Sequence, residues 1–168
     1  WEAPAPATAS PAPLTPSPAP ATPTAVPPPT PVCQDAHEPD DIIPRLMAVG
    51  ESRLHTFCPA GDRDRAVFTA KPGYAYRIET TALAIGVDTV LEAQIGTTRL
   101  TNDDRTPQNL SSALTVHNAT ASEAPVYITV WNKGTDGPAA AYTLLVSDAG
   151  AGDAYEPDDA APVAMVPG

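Results

Sequence analysis

Between Cys33 and Gly150 apolar residues recur at every second position in short runs, and no stretch keeps the spacing of an amphipathic helix. Period-two alternation is what a half-buried strand requires, because successive side chains leave a pleated backbone on opposite faces. The runs "RLHTFC" (Arg53 to Cys58), "RAVFTA" (Arg65 to Ala70), "YAYRIETT" (Tyr74 to Thr81) and "TVLEAQIG" (Thr89 to Gly96) predict strands. So do "SALTVHNA" (Ser112 to Ala119), "PVYITVWN" (Pro125 to Asn132) and "AYTLLVSD" (Ala141 to Asp148). The pattern is clearest in "PVYITVWN", where Val126, Ile128 and Val130 share one face and Tyr127, Thr129 and Trp131 the other. The first set predicts core; the second is a candidate binding face, or a packing surface for a neighbouring module. Short strands separated by turn residues point to an all-β sandwich or barrel. The acidic turns "AGDRDR", "GVDTV" and "TNDDRTP" suit that reading, since Asp and Asn side chains bond nearby backbone N–H groups.

The pattern stops at the N-terminal side. Residues 1–32 hold twelve of the 22 prolines among Ala, Thr and Ser, with one acid and no base. Such a segment buries too little apolar surface to offset the entropy of ordering it, and is expected to be a disordered, polyproline-biased linker or stalk. The expected organisation is a linker over 1–32, a sandwich over 33–149, and a further linker with the start of a second module over 150–168. That last expectation comes from a repeat. "DAHEPDDIIPRLMAVG", from Asp35, and "DAYEPDDAAPVAMVPG", from Asp153, share nine of sixteen positions at an offset of 118 residues, about one domain.

Net charge is −11, with 20 acids against nine Lys and Arg, which argues against nucleic acid and anionic membrane surfaces as partners and leaves cations attractive. No apolar run reaches the roughly 18 residues that a membrane-spanning helix needs. Catalytic patterns are missing: there is no G-x-S-x-G elbow, no H-E-x-x-H zinc motif and no phosphate loop, and His117 stands alone in "LTVHNAT". The reading is therefore not an enzyme.

The segment from about Cys33 to Asp148 resembles the bacterial pre-peptidase C-terminal domain. The resemblance rests on "HEPDD" and "YEPDD", "HTFCPAGDRDRAVFTAKPGYAYRIET", "GVDTVL", "TNDD", and the closing "YITV" and "YTLLVS", which follow the family's order. It implies a jelly-roll-like antiparallel sandwich in a secreted or cell-surface bacterial protein, with no catalysis by the module itself. Related modules of secreted collagenases bind collagen and hold calcium near the N-terminal acidic segment. By motif, Glu38, Asp40, Asp41 and Asp64 would be calcium carboxylates here, with Asp62 beside them. Three departures weaken the match: Ala36 stands where the collagenase modules carry an acid, the acid usually ahead of the strand falls near Gly61, and Arg65 stands where the family tends to an aromatic.

Calcium takes six to eight oxygen ligands in flexible geometry, so carboxylates converging from "EPDD" and "GDRDR" would suit it. The competing reading is a solvated opening segment whose acids keep a sandwich edge unpaired. Asp88 with Asn102 to Asp104 forms a second acidic focus, read as turn stabilisation. Cys33 and Cys58 predict one disulfide closing a loop of 25 residues. A two-Cys two-His zinc set of Cys33, His37, His55 and Cys58 competes, although the second copy of the repeat lacks counterparts of Cys33 and His37.

The function expected is that of a calcium-associated accessory module, spacing, stabilising or targeting a functional domain by binding an extracellular protein or polysaccharide, and packing beside an adjacent copy of itself. Two alternatives stand beside it. One is a part of a secreted peptidase that aids folding or docks substrate, with the catalytic domain outside this chain. The other is a purely adhesive stalk of tandem modules.

Overall fold

The computed structural model describes residues 1–3, 33 and 35–151. The expected linker over residues 4–32 and the expected start of a second module over residues 152–168 lie outside the described residues.

Nine strands form two sheets and no helix is present among the described residues. They are β1 (Arg45–Leu46), β2 (Ser52–Thr56), β3 (Arg63–Ala70), β4 (Tyr74–Thr81), β5 (Thr89–Ile95), β6 (Thr98–Asn102), β7 (Ala113–His117), β8 (Ala124–Asn132) and β9 (Ala141–Ala151). One sheet runs β1-β3-β8-β5-β6 and the other β2-β9-β4-β7. Every pairing is antiparallel except β1 with β3, which is parallel. Consecutive strands β3 and β4 belong to different sheets, so the chain crosses over the core as a sandwich requires.

The alternation read from the sequence decides which side chains fill the space between the sheets. On β8, Val126, Ile128 and Val130 are buried while Tyr127 is exposed and Thr129 and Trp131 are half-buried. The inner faces meet around large buried side chains, among them Phe68 and Tyr76, packed edge to face with ring centroids 5.1 Å apart. Phe57 and Tyr142 stack at 4.7 Å. Offset and edge-to-face aromatic pairs add roughly 0.5–1.5 kcal/mol beyond the area they bury. A trio of buried hydroxyls joins the sheets at one margin: Thr80 Oγ1 lies 2.7 Å from Thr89 Oγ1, which lies 3.1 Å from Ser112 Oγ.

Several details depart from the sequence reading. Strand β3 begins at Arg63, two residues before the expected Arg65, so Asp64 of the expected acidic turn stands in the strand. The two-residue β1 and the exposed β6 were not expected as strands, and the "TND" of the acidic turn begins inside β6. Strand β9 continues to Ala151, so Gly150 and Ala151, expected as linker, pair with Ala75 and Tyr74 across a bulge. Gly150 sits at φ 103°, a conformation that favours glycine at such an irregularity.

Candidate metal centre

Strand β3 starts the site. Its alternation turns Arg63 and Arg65 outward and Asp64 inward, opposite Val130, so that a carboxylate only 1% exposed stands on the core face. Its partners arrive from the other sheet. His55 on β2 and Tyr142 on β9 are register neighbours, and both point inward and are buried. His55 Nδ1 lies 3.1 Å from Asp64 Oδ1, and the Tyr142 hydroxyl donates to Asp64 Oδ2 at 2.8 Å.

The turn before β3 supplies Asp62. Gly61 has φ 85°, and its N–H is held at 3.0 Å by Asp136 from the β8–β9 loop. Asp62 Oδ2 accepts the Cys58 N–H at 2.8 Å, which leaves Oδ1 free. The opening segment comes from the far side. Asp35 ties it to the edge of β2, accepting the Thr56 N–H at 2.9 Å and the His37 N–H at 2.8 Å. Arg45 Nε donates to the His37 carbonyl at 3.0 Å. The Cys33–Cys58 disulfide expected from the sequence is formed, with Cα atoms 5.0 Å apart.

Acids from three places therefore converge. Asp35, His55 and Asp64 offer ligand atoms all within 4.8 Å of one another, and so do Glu38, Asp62 and Asp64, with Asp64 common to both groups. Asp40 Oδ2 lies 3.9 Å and Asp35 Oδ2 3.7 Å from His55 Nδ1. Burial, with the charge of Asp64 added, pushes the Asp40 carboxyl up to about 7 from 3.8. Burial also pushes Asp62 up to about 7, against the pull of the Cys58 N–H and helped by the Asp64 charge. Glu38 is raised as well, by burial first. Burial alone would lower His55; the hydrogen bond and charge of Asp64, with Asp35 and Asp40, outweigh it and raise the imidazole.

Whether a cation fits is decided by the atoms left over. Both carboxylate oxygens of Asp40, only 1% exposed, and Oδ1 of Asp62 are buried with no hydrogen-bond partner within 3.5 Å, although the Arg65 N–H acts on the Asp40 carboxyl and pulls it down against burial. A buried polar atom without a partner costs on the order of 1–3 kcal/mol, more when charged, so several together call for a ligand that meets them at once. These are hard oxygen donors clustered around negative charge, the set that a divalent cation of the calcium class takes. The donor set fits.

Four of the five carboxylates expected from the sequence, Glu38, Asp40, Asp62 and Asp64, lie together. Asp41 does not join them: it is exposed, and its Oδ1 accepts the Arg63 N–H at 3.2 Å. The sequence reading misses Asp35 as a member and has His55 only as part of the zinc set. Asp35, next to Ala36, supplies an acid near the place where the resemblance found one lacking, and its presence in both copies of "DAxEPDD" was the available signal. His55 could have been found from the alternation of "SRLHTF", which sets it on one face with Arg53 and Phe57. The zinc alternative is overturned, because the sulfurs of Cys33 and Cys58 are bonded to each other and offer no thiolate.

The second acidic focus brings Asp88, Asp103 and Asp104 together, but Lys133 Nζ already lies 2.7 Å from Asp103 Oδ2. Asn102 Oδ1 accepts the Ala113 N–H and Asn132 Oδ1 the Asp88 N–H, whereas Asp88 Oδ1 and Asp104 Oδ1 are buried without a partner. On the outer face of β8, Tyr127 is 48% exposed, and the Arg63 guanidinium lies 5.1 Å from the ring centroid of Trp131. Thr129 stands between them, flanked in register by Arg65 and Glu92.

No protein family profile matches the chain, and no curated protein is significantly similar to it. Among solved structures, the chain is similar to the pre-peptidase C-terminal domain of the collagenase from Bacillus anthracis, a 1.0 Å crystal structure, at 11% identity and a TM-score of 0.48, over 66% of this chain and 98% of that one.

Proposed function

We propose that residues 33–151 are a non-catalytic, calcium-binding accessory module of a secreted or surface-displayed protein, which spaces, stabilises or targets a functional domain carried outside this chain. The observation that carries the proposal is the unpartnered, buried carboxylate of Asp40 among Asp35, Glu38, Asp62 and Asp64. Calcium bound there would neutralise the cluster and join three separate pieces of chain, namely the opening segment, the turn before β3 and β3 itself. The disulfide supports an oxidising compartment, where such bonds persist. No helix among the described residues is long and apolar enough to cross a membrane.

The same site bears on the expectation that the module is not catalytic. His55 and Asp64 form a couple that would orient a general base, but the outer ring nitrogen, His55 Nε2, is buried and unpartnered, and the ring lies stacked on Tyr142. A base must reach the proton it removes, so this pair serves the interior and not a substrate. Targeting, if it is the module's work, falls to the outer face of β8, where Tyr127 and the Arg63–Trp131 stack offer aromatic and cationic surface to an extracellular protein or polysaccharide. The sequence resemblance also favours a second reading, part of a secreted peptidase whose catalytic domain lies outside this chain, acting as a folding aid or substrate-docking surface.

Calorimetric titration of the full chain with calcium tests the proposal. The expected result is saturable binding that vanishes in Asp40→Asn combined with Asp62→Asn, while the far-ultraviolet circular dichroism stays that of a β protein. Undiminished binding in the double variant would remove the site from this cluster.

A further inference from the structure

The disulfide lies where the two halves of the acidic cluster meet. Asp35, Glu38, Asp40 and His55 all fall inside the 25-residue loop that Cys33–Cys58 closes, whereas Asp62 and Asp64 follow it on the turn and on β3. The Cys58 N–H is itself a ligand of the Asp62 carboxylate. A cavity of about 400 Å³ opens beside the cluster, lined by Cys33, Asp35, Glu38, Pro39, Cys58 and Pro59, so the bond and two carboxylates share one wall. Cys58 is buried and Cys33 half-buried, which leaves the bond approachable from the Cys33 side.

We infer that the Cys33–Cys58 bond and the cation site form one redox-linked device: the closed disulfide holds the loop-borne carboxylates against Asp62 and Asp64, and its reduction releases the cation. The inference rests on the calcium reading above and adds its regulation. Between Cys33 and β1 the described residues contain no strand, so few ties oppose the mutual repulsion of the carboxylates. Among the described residues those ties include the Asp35–Thr56, Arg45–His37 and Asp41–Arg63 hydrogen bonds, the Arg65 N–H acting on Asp40, the His37–His55 ring contact and the disulfide. Only the last is covalent. In the reduction step, a thiolate of a dithiol attacks one protein sulfur and forms a mixed disulfide, which the second thiol of the reagent then displaces. The protein takes up two electrons and two protons and leaves as two thiols, and the dithiol becomes a cyclic disulfide. With the bond open, the loop half leaves the strand half and the cation loses its ligands from one side.

Linkage makes the coupling reciprocal, since whatever factor reduction removes from calcium affinity, calcium adds to the resistance of the disulfide. The experiment uses the full chain and calcium ion. Calcium affinity is measured by calorimetry on the oxidised chain and on the chain reduced with dithiothreitol. The midpoint potential of the disulfide is measured in dithiol redox buffers, with calcium and with chelator at equal ionic strength. The expected weakening on reduction is at least roughly tenfold, and the matching shift of the midpoint is about 30 mV to more negative potential in calcium. Equal affinity in both redox states, or a midpoint unmoved by calcium, overturns the coupling while leaving the calcium site in place. Absence of calcium binding even to the oxidised chain overturns the site and the coupling together. Far-ultraviolet circular dichroism of the reduced chain accompanies both measurements: a midpoint shift with the β spectrum retained supports the coupling, and a reduced chain that has unfolded overturns it, since the shift then reports the loss of the whole fold. In the midpoint measurement the Asp40→Asn, Asp62→Asn variant is expected to show no calcium dependence.

Discussion

At Asp40 the chain holds a carboxylate whose two oxygens are buried with no partner within 3.5 Å, the Arg65 N–H pulling against burial without offsetting it, a few ångströms from the ring of His55 and close enough to Asp64 to feel its charge. A residue selected for packing alone would be apolar there, so the cost argues for a ligand. In chelator at mildly alkaline pH, Asp40→Asn is expected to raise the melting temperature by a few degrees, because it removes a charge that repels Asp64, and to abolish the response to calcium. Thermal unfolding in both conditions checks this; a variant that melts lower in chelator would mean the carboxylate is already satisfied. The pH dependence follows from the same groups. Asp40 and Asp62 titrate near 3.8 when unfolded and near 7 when folded, so across that interval the folded chain keeps protons that the unfolded chain has lost. Stability without cation therefore falls as pH rises from 3.8 through 7, and His55, raised from 6.5, adds to the fall in the same direction. Melting temperatures across that range in calcium-free buffer should decline, and saturating calcium should flatten the decline.

At the scale of elements, strands were legible wherever one face is buried, because burial writes a period of two into the sequence. Tyr74–Thr81 appears with the bounds that its alternation predicts, and β5 differs by one residue at its end. β6 was not legible, since four of its five residues are exposed and nothing alternates, nor was β1, two exposed residues held by pairing to β3. The acids of the site were legible as types in a repeated phrase, but which of them converge was not. Convergence depends on β2 crossing beside β3 in the other sheet, a long-range fact. The loops at this end of the sandwich are similarly interlocked: Thr135 N–H bonds the Gly86 carbonyl at 2.7 Å, and Asp136 holds Gly61. A Cβ on Gly134 would stand 2.0 Å from the Gly86 oxygen and 3.0 Å from the Asp88 nitrogen, both backbone atoms. Gly134→Ala is expected to cost about 1–3 kcal/mol or more, read as a lowered midpoint in urea unfolding. An unchanged midpoint would show that the two loops part easily.

For the whole molecule, the net charge of −11 is spread along the chain, and most of the acids among the described residues lie outside the strands, where contact with water lessens their repulsion. The exception is the cluster at the Asp62 turn, where Asp40, Asp62 and Asp64 are buried, and it is there that the proposed cation would be held. Cation binding at that point would fasten the opening segment onto the sandwich and so set how the module meets whatever precedes it. The most direct test is the melting temperature of the full, oxidised chain in about 1 mM calcium and in chelator at the same ionic strength, concentrations suited to an extracellular site. For a dissociation constant of roughly 0.1 to 1 mM, linkage predicts about 0.4 to 1.4 kcal/mol of added stability and a rise of a few degrees. The same melting temperature in both would contradict the cation site and leave the acids of the opening segment as a solvated edge.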